Sequence, residues 1–159
     1  MIDFTAKDIE EIYTLRLLLE VDAVHRAVKN LAEQDILDLQ EIVNNLGQAM
    51  IRQDDPEAIT WLDLNFHEII CLRADHSRLY NAWNSMRMQT MLLIGVTSKT
   101  HYGVPNQTLK WHQDILDAMR ESNANLAEKI LTDHLMDAME RATSRFHEAH
   151  AIHEDGEVE

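Results

Sequence analysis

The sequence predicts an all-α protein, an antiparallel bundle of about six helices, and three observations carry that prediction. Of its 159 residues 45% are hydrophobic while only 4 are glycine and 2 proline, a balance that suits long helices on short links better than strands and turns. Eight methionines, unbranched and adaptable, fit helical cores. Apolar residues recur every three or four positions along most of the chain, the period of a half-buried helix. A mass of 18.4 kDa suffices for one well-buried domain and is short for two, so residues 1–159 are read as a single domain with an ordered core over roughly 5–150.

Each helix has its own signal. Thr5 followed by Asp8 resembles a capping box, and Ile9, Ile12, Leu15, Leu19 and Val24 continue a stripe to about Leu31. A second helix, about Gln34 to Arg52, rests on Ile36, Leu39, Ile42, Val43, Leu46 and Met50 and stops at Asp54-Asp55-Pro56. Pro56 suits the first turn of a third helix, which reaches Arg73 before the break Ala74 to Arg78, with His76 or Ser77 as cap. A methionine-rich fourth helix, Arg78 to about Thr97, precedes the irregular segment Ser98 to Asn106. The fifth covers about Gln107 to Glu121; an Asn cap in E-S-N-A-N opens a sixth that runs to about His150, and the tail E-D-G-E-V-E is expected to fray.

Charge removes several function classes. A net charge of −14, from 28 acidic against 14 basic residues, repels phosphate backbones and anionic membranes, so no direct grip on DNA is expected. No apolar run is long enough to span a bilayer, and the acidic N-terminus does not resemble a signal peptide. The single Cys71 excludes an internal disulfide framework, and the expected location is cytoplasmic.

The functional signal is a set of polar residues on apolar faces. In W-L-D-L-N-F-H-E-I-I, Asp63 and His67 share the face of Ile59, Phe66 and Ile70. His112 completes the stripe of Leu109, Leu116 and Met119, and His134 falls among Ile130, Leu131, Ala138 and Ala142. Any one of these suits a core histidine bonded to a backbone carbonyl. Together with a buried aspartate, which costs several kcal/mol unless compensated, they form a candidate metal site with Asp63, His67, His112 and His134 as ligands.

D-L-N-F-H, W-H-Q-D-I-L-D-A-M and A-E-K-I-L-T-D-H-L resemble the D-x-x-F-H, H-x-x-I-L-x-A and A-x-x-x-M-x-x-H-L signatures of the FCD domain, the effector-binding C-terminal domain of FadR-like GntR transcription regulators. The opening I-Y-T-L-R-L-L-L-E, with Arg16 and Glu20, resembles that family's first helix. The resemblance implies a helical bundle holding a divalent transition metal (Zn, Ni, Mn or Fe) on one Asp and three His, a small carboxylate effector beside it, and a homodimer, for which the apolar surface of helices one and four is the candidate interface. Two positions depart from the pattern: Trp111 where an acidic residue is common, and His76 where Asn is common. Nothing upstream of Thr5 encodes the winged helix-turn-helix of such regulators, so DNA contact is expected through a missing N-terminal domain, with the chain an excised domain or a stand-alone copy.

Arg16 shares a face with Ile9, Tyr13 and Ala23, so its guanidinium is directed inward and requires an anion: Glu20 or the effector's carboxylate. Competing motifs are weaker. H-E-I-I-C lacks the second histidine of a zinc protease, and Cys71 reads more simply as a small hydrophobe than as a soft-metal ligand. No Glu-x-x-His of a di-iron bundle occurs, and His147, His150 and His153 suit a helix C-terminus. The expected function is effector sensing by a regulator, not catalysis. The alternative is a metal-dependent hydrolase or lyase on the same four ligands, which needs a general base, and Glu68 should face away.

Overall fold

The computed structural model describes residues 4–98 and 105–154, and the side chains of 4–95 and 107–148. The six described helices are α1 (Ala6–Ala27), α2 (Glu33–Arg52), α3 (Pro56–Arg73), α4 (Ser77–Ser98), α5 (Pro105–Arg120) and α6 (Ala124–Glu154). The interior of the irregular link before α5 and the tail after Glu154 lie outside the described residues.

The capping signals act as read. Asp8 N–H donates to Thr5 Oγ1 (3.1 Å) and Thr5 N–H to Asp8 Oδ2 (2.7 Å), closing the box at α1. Asp55 accepts from the Glu57 amide at 2.9 Å with Pro56 in the first turn of α3, and Asn123 accepts from the Leu126 amide at 3.1 Å at α6. His76 is the cap of α4, its Nδ1 accepting from the Leu79 amide at 3.2 Å, so this departure from the family pattern serves the helix end.

Two helix ends differ by about a turn: α6 runs to Glu154, four residues past the expected His150, and α1 is shorter than expected. α1 ends at Ala27, four residues before the expected Leu31, because the Asn30 amide folds onto the Ala27 carbonyl at 2.8 Å and Asp35 then caps the Ala32 amide at 2.8 Å. Asp35 also accepts from Arg73 Nε at 2.8 Å, fastening the end of α3 to the start of α2.

α1 runs through the middle of the bundle, against α3, α4 and α6, while α5 packs between α2 and α6. The largest apolar cluster joins Ala23, Leu39, Phe66, Ile70, Trp83, Ile115 and Leu131, drawing on all six helices. Gly47 brings α2 close to α5: a Cβ there would stand 3.0 Å from Leu109 Cδ2. Leu109 lies one turn before His112, so this close approach helps set where that imidazole enters the core. Beside the apolar cluster the interior also buries Arg16, Glu20, His67, His112 and His134.

Candidate functional site

α3 contributes Asp63 and, one turn on, His67; α5 contributes His112 and α6 His134. One ligand atom from each lies within 4.8 Å of all the others. Donors held about 2.0–2.2 Å from a common ion stand roughly 3–4 Å apart, so the set is near metal-binding size. His67 and His112 are fully buried and His134 nearly so, with Asp63 at the edge. The His67 and His134 rings lie parallel, 5.5 Å between centroids, and His112 meets His134 edge-on at 4.9 Å.

Neighbours fix which nitrogens face inward. His112 Nδ1 lies 2.8 Å from the Thr108 carbonyl, an obligate acceptor, so Nδ1 carries a proton, and Nε2 faces Asp63 Oδ1 at 3.0 Å. His67 Nδ1 lies 2.7 Å from Glu20 Oε2, a contact short of good hydrogen-bond alignment but one that only a protonated nitrogen tolerates beside a carboxylate. His67 Nε2, His112 Nε2 and His134 Nδ1 are buried without a hydrogen-bond partner.

The electrostatics match. Burial would raise the Asp63 pKa, but the hydrogen bond and charge of His112, then His67 and His134, hold it well below the usual carboxylate range. Burial drives the His134 pKa well below that of a free imidazole, and positive charge on His112 or His67 would push it further. His134 therefore stays neutral, and protonation cannot satisfy all three rings. Acceptor nitrogens and a carboxylate converging in a dry site are suited to a cation.

Arg16 is buried and paired. Its Nε donates to Glu20 Oε1 at 2.7 Å and its Nη2 reaches Oε2 at 3.4 Å, while Trp83 Nε1 from α4 donates to the same Oε1 at 2.8 Å. Glu20 thus supplies the anion that Arg16 requires. Burial would raise its pKa, yet Arg16 and His67 hold it below the usual range.

Other candidates separate from the cluster. Cys71 is fully buried in the apolar cluster, and burial raises its thiol pKa far above the ordinary value. Glu68 turns away to Arg87 (2.9 Å) and Tyr80 (3.0 Å), as expected from its position. His147 is exposed against Phe146; the side chains of His150 and His153 lie outside the described residues.

Sequence reasoning missed three contributors. The Thr108 carbonyl is backbone and leaves no residue-type signal. Arg141, two turns after His134, is partly buried, which lowers its pKa, and it feels the charge of Asp63. Trp111, noted only as a departure, has a ring centroid 6.3 Å from that of His134 and a buried indole N–H with no partner.

Asp and three His converging from three helices of such a bundle agree with a match to the model of the FCD domain over residues 11–138. The chain belongs to the FCD-domain family. It is 29% identical over 145 residues to the gluconate operon transcriptional repressor of Bacillus subtilis (strain 168), covering 89% of this chain and 59% of that protein. It is 23% identical over 126 residues to the HTH-type transcriptional repressor RspR of Escherichia coli (strain K12), covering 79% of this chain and 54% of that one. The chain therefore spans a little over half the length of these relatives. Among solved structures, E. coli McbR/YncC matches with a TM-score of 0.81 at 20% identity, over 90% of this chain and 71% of that chain. A GntR-family transcriptional regulator from Pseudomonas syringae pv. tomato str. DC3000 matches with a TM-score of 0.80 at 17% identity, over 94% and 61%. These likenesses bear out the six-helix FCD fold and the reading as the effector-binding domain of a GntR-type regulator instead of an enzyme. No described helix is long and apolar enough to cross a membrane.

Proposed function

We propose that this FCD domain senses a small carboxylate through one divalent transition metal held by Asp63, His67, His112 and His134, and passes that state to a DNA-binding module of a bacterial GntR-type regulator. The observation that carries the reading is the convergence of ligand atoms from one carboxylate and three buried imidazoles within 4.8 Å of one another, on rings of which each keeps a buried nitrogen without a hydrogen-bond partner. Three nitrogens and one carboxylate suit Zn, Ni, Mn or Fe, and such an ion would supply open positions for the oxygens of an acid.

Arg16 holds the far end of the effector in this reading. Its bonds to Glu20 use Nε and Nη2, so Nη1 is outside that pair, and the guanidinium is within electrostatic reach of Asp63 and His134. The gluconate operon repressor among the relatives makes polyhydroxy acids the first class to test. Elemental analysis of the purified chain should find close to one divalent ion, and calorimetry with a panel of central-metabolic and sugar acids should find a binder only in metal-loaded protein. A chain that takes up no Zn, Ni, Mn or Fe at low micromolar concentration would sink the assignment.

Homodimerisation is part of the proposal. Leu15 and Leu18 of α1 and Met88 and Leu92 of α4 are exposed, an apolar surface of the kind that two copies bury. Sedimentation at tens of micromolar should show a dimer, converted to monomer by Leu18→Glu; a wild-type monomer at that concentration overturns self-association through this domain.

A further inference from the structure

Glu20 lies outside the candidate ligand set, yet it touches residues from three helices. From α1 it accepts Arg16 Nε and Trp83 Nε1 of α4 on Oε1, at 2.7 and 2.8 Å, and presents Oε2 to His67 Nδ1 of α3 at 2.7 Å. Each of these neighbours can donate, and Glu20 is almost fully buried.

We propose that Glu20 is a positioning residue for the metal site: its Oε2 holds the proton of His67 on Nδ1 and thereby keeps Nε2 a free lone pair directed at Asp63, His112 and His134. The inference rests on the metal reading above. A metal-binding imidazole is commonly fixed in this way by a carboxylate on its other nitrogen. Thr108 does it for His112 with a backbone carbonyl, which no substitution removes; Glu20 does it for His67 with a side chain, which makes the device testable. Arg16 and Trp83 in turn fix Glu20, since two short donors on Oε1 leave Oε2 facing His67.

Glu20→Gln has a directional consequence. The amide oxygen will occupy the Oε1 place, where Arg16 and Trp83 both donate, and the NH2 will stand where Oε2 stood. A donor then faces His67 Nδ1, which must accept, and the His67 proton moves to Nε2, the nitrogen needed by the metal.

Zn affinity should be measured by competition with a chromophoric chelator, and the His67 tautomer by 15N NMR of histidine-labelled, metal-free protein at alkaline pH. Wild type should show Nδ1–H, Glu20→Gln should show Nε2–H, and the variant should bind Zn roughly 10–100-fold more weakly. If the single variant does not fold, Arg16→Met/Glu20→Gln, which removes both buried charges, should show the same loss of affinity. Zn binding within twofold of wild type in a folded variant overturns the inference while the metal reading stands. If wild type binds none of Zn, Ni, Mn and Fe, the metal reading fails, and the tautomer alone decides: Nδ1–H in wild type and Nε2–H in the variant sustain Glu20's role, and Nε2–H in wild type overturns it.

Discussion

Two buried polar groups sit side by side in this bundle and differ in completeness. In the Arg16–Glu20–Trp83 group the charges are opposite and Glu20's oxygens are met by donors at 2.7 and 2.8 Å. In the Asp63–His67–His112–His134 group His67 Nε2, His112 Nε2 and His134 Nδ1 are buried beside the carboxylate without a hydrogen-bond partner. Buried polar atoms in native proteins are almost all satisfied, so the first group reads as architecture and the second as a socket for something from outside. His67 belongs to both, one nitrogen turned to each.

Breaking the closed group should have the largest effect. Arg16→Met strands the Glu20 charge in the core and should cost about 3–5 kcal/mol in urea unfolding, whereas Arg16→Met/Glu20→Gln should recover most of that loss. Equal losses in the single and double variants would show that the pair is not coupled.

The open group should respond to its occupant instead. With metal at a hundredfold excess over its Kd, occupancy adds about 2.7 kcal/mol to stability, so chelation should lower Tm by roughly 5–10 °C. His134→Ala should abolish the chelator-sensitive part. A chelator that moves Tm equally in His134→Ala would place the ion elsewhere.

The two groups should then be separable at Arg16. Lysine keeps a positive charge for Glu20 but loses the planar fork that grips a carboxylate. Arg16→Lys should weaken effector binding at least tenfold, about 1.4 kcal/mol, with metal content unchanged, while His112→Ala should impair both. Unchanged effector affinity in Arg16→Lys would assign the effector's far end to another cation, of which Arg141, partly buried on α6 and coupled to Asp63, is a candidate.

Much of this was legible in the chain. Thr5/Asp8, Asp55-Pro56 and Asn123 mark helix starts through local chemistry, which sequence carries directly. Asp63, His67, His112 and His134 stood out because helical period placed polar groups on faces otherwise apolar. What stayed hidden depends on distance between elements. Glu20 reads as an ordinary i,i+4 partner of Arg16 until α3 and α4 bring His67 and Trp83 onto it, and Trp83 is 63 residues away in sequence. The end of α1 was misplaced because the apolar stripe continues through Leu31 while the backbone is turned by Asn30 and capped by Asp35, a competition that periodicity does not register.

The smallest effect tests whether the ends of α1 matter to either group. Thr5→Ala removes the side-chain acceptor for the Asp8 amide and should cost about 1 kcal/mol. The loss should stay local. Ile9 and Ile12, just inside the first turn, pack with Met86 and Leu93 in a cluster that contains neither Glu20 nor any of the four candidate ligands. Arg16 lies about three turns beyond the cap, where the hydrogen-bonded ladder and the Glu20 pair hold α1 independently. Urea unfolding should therefore register the loss while Zn affinity stays at the wild-type value. A parallel drop in Zn affinity would mean that α1 moves as one rigid rod, and that the closed and open groups are coupled along its whole length and not only at His67.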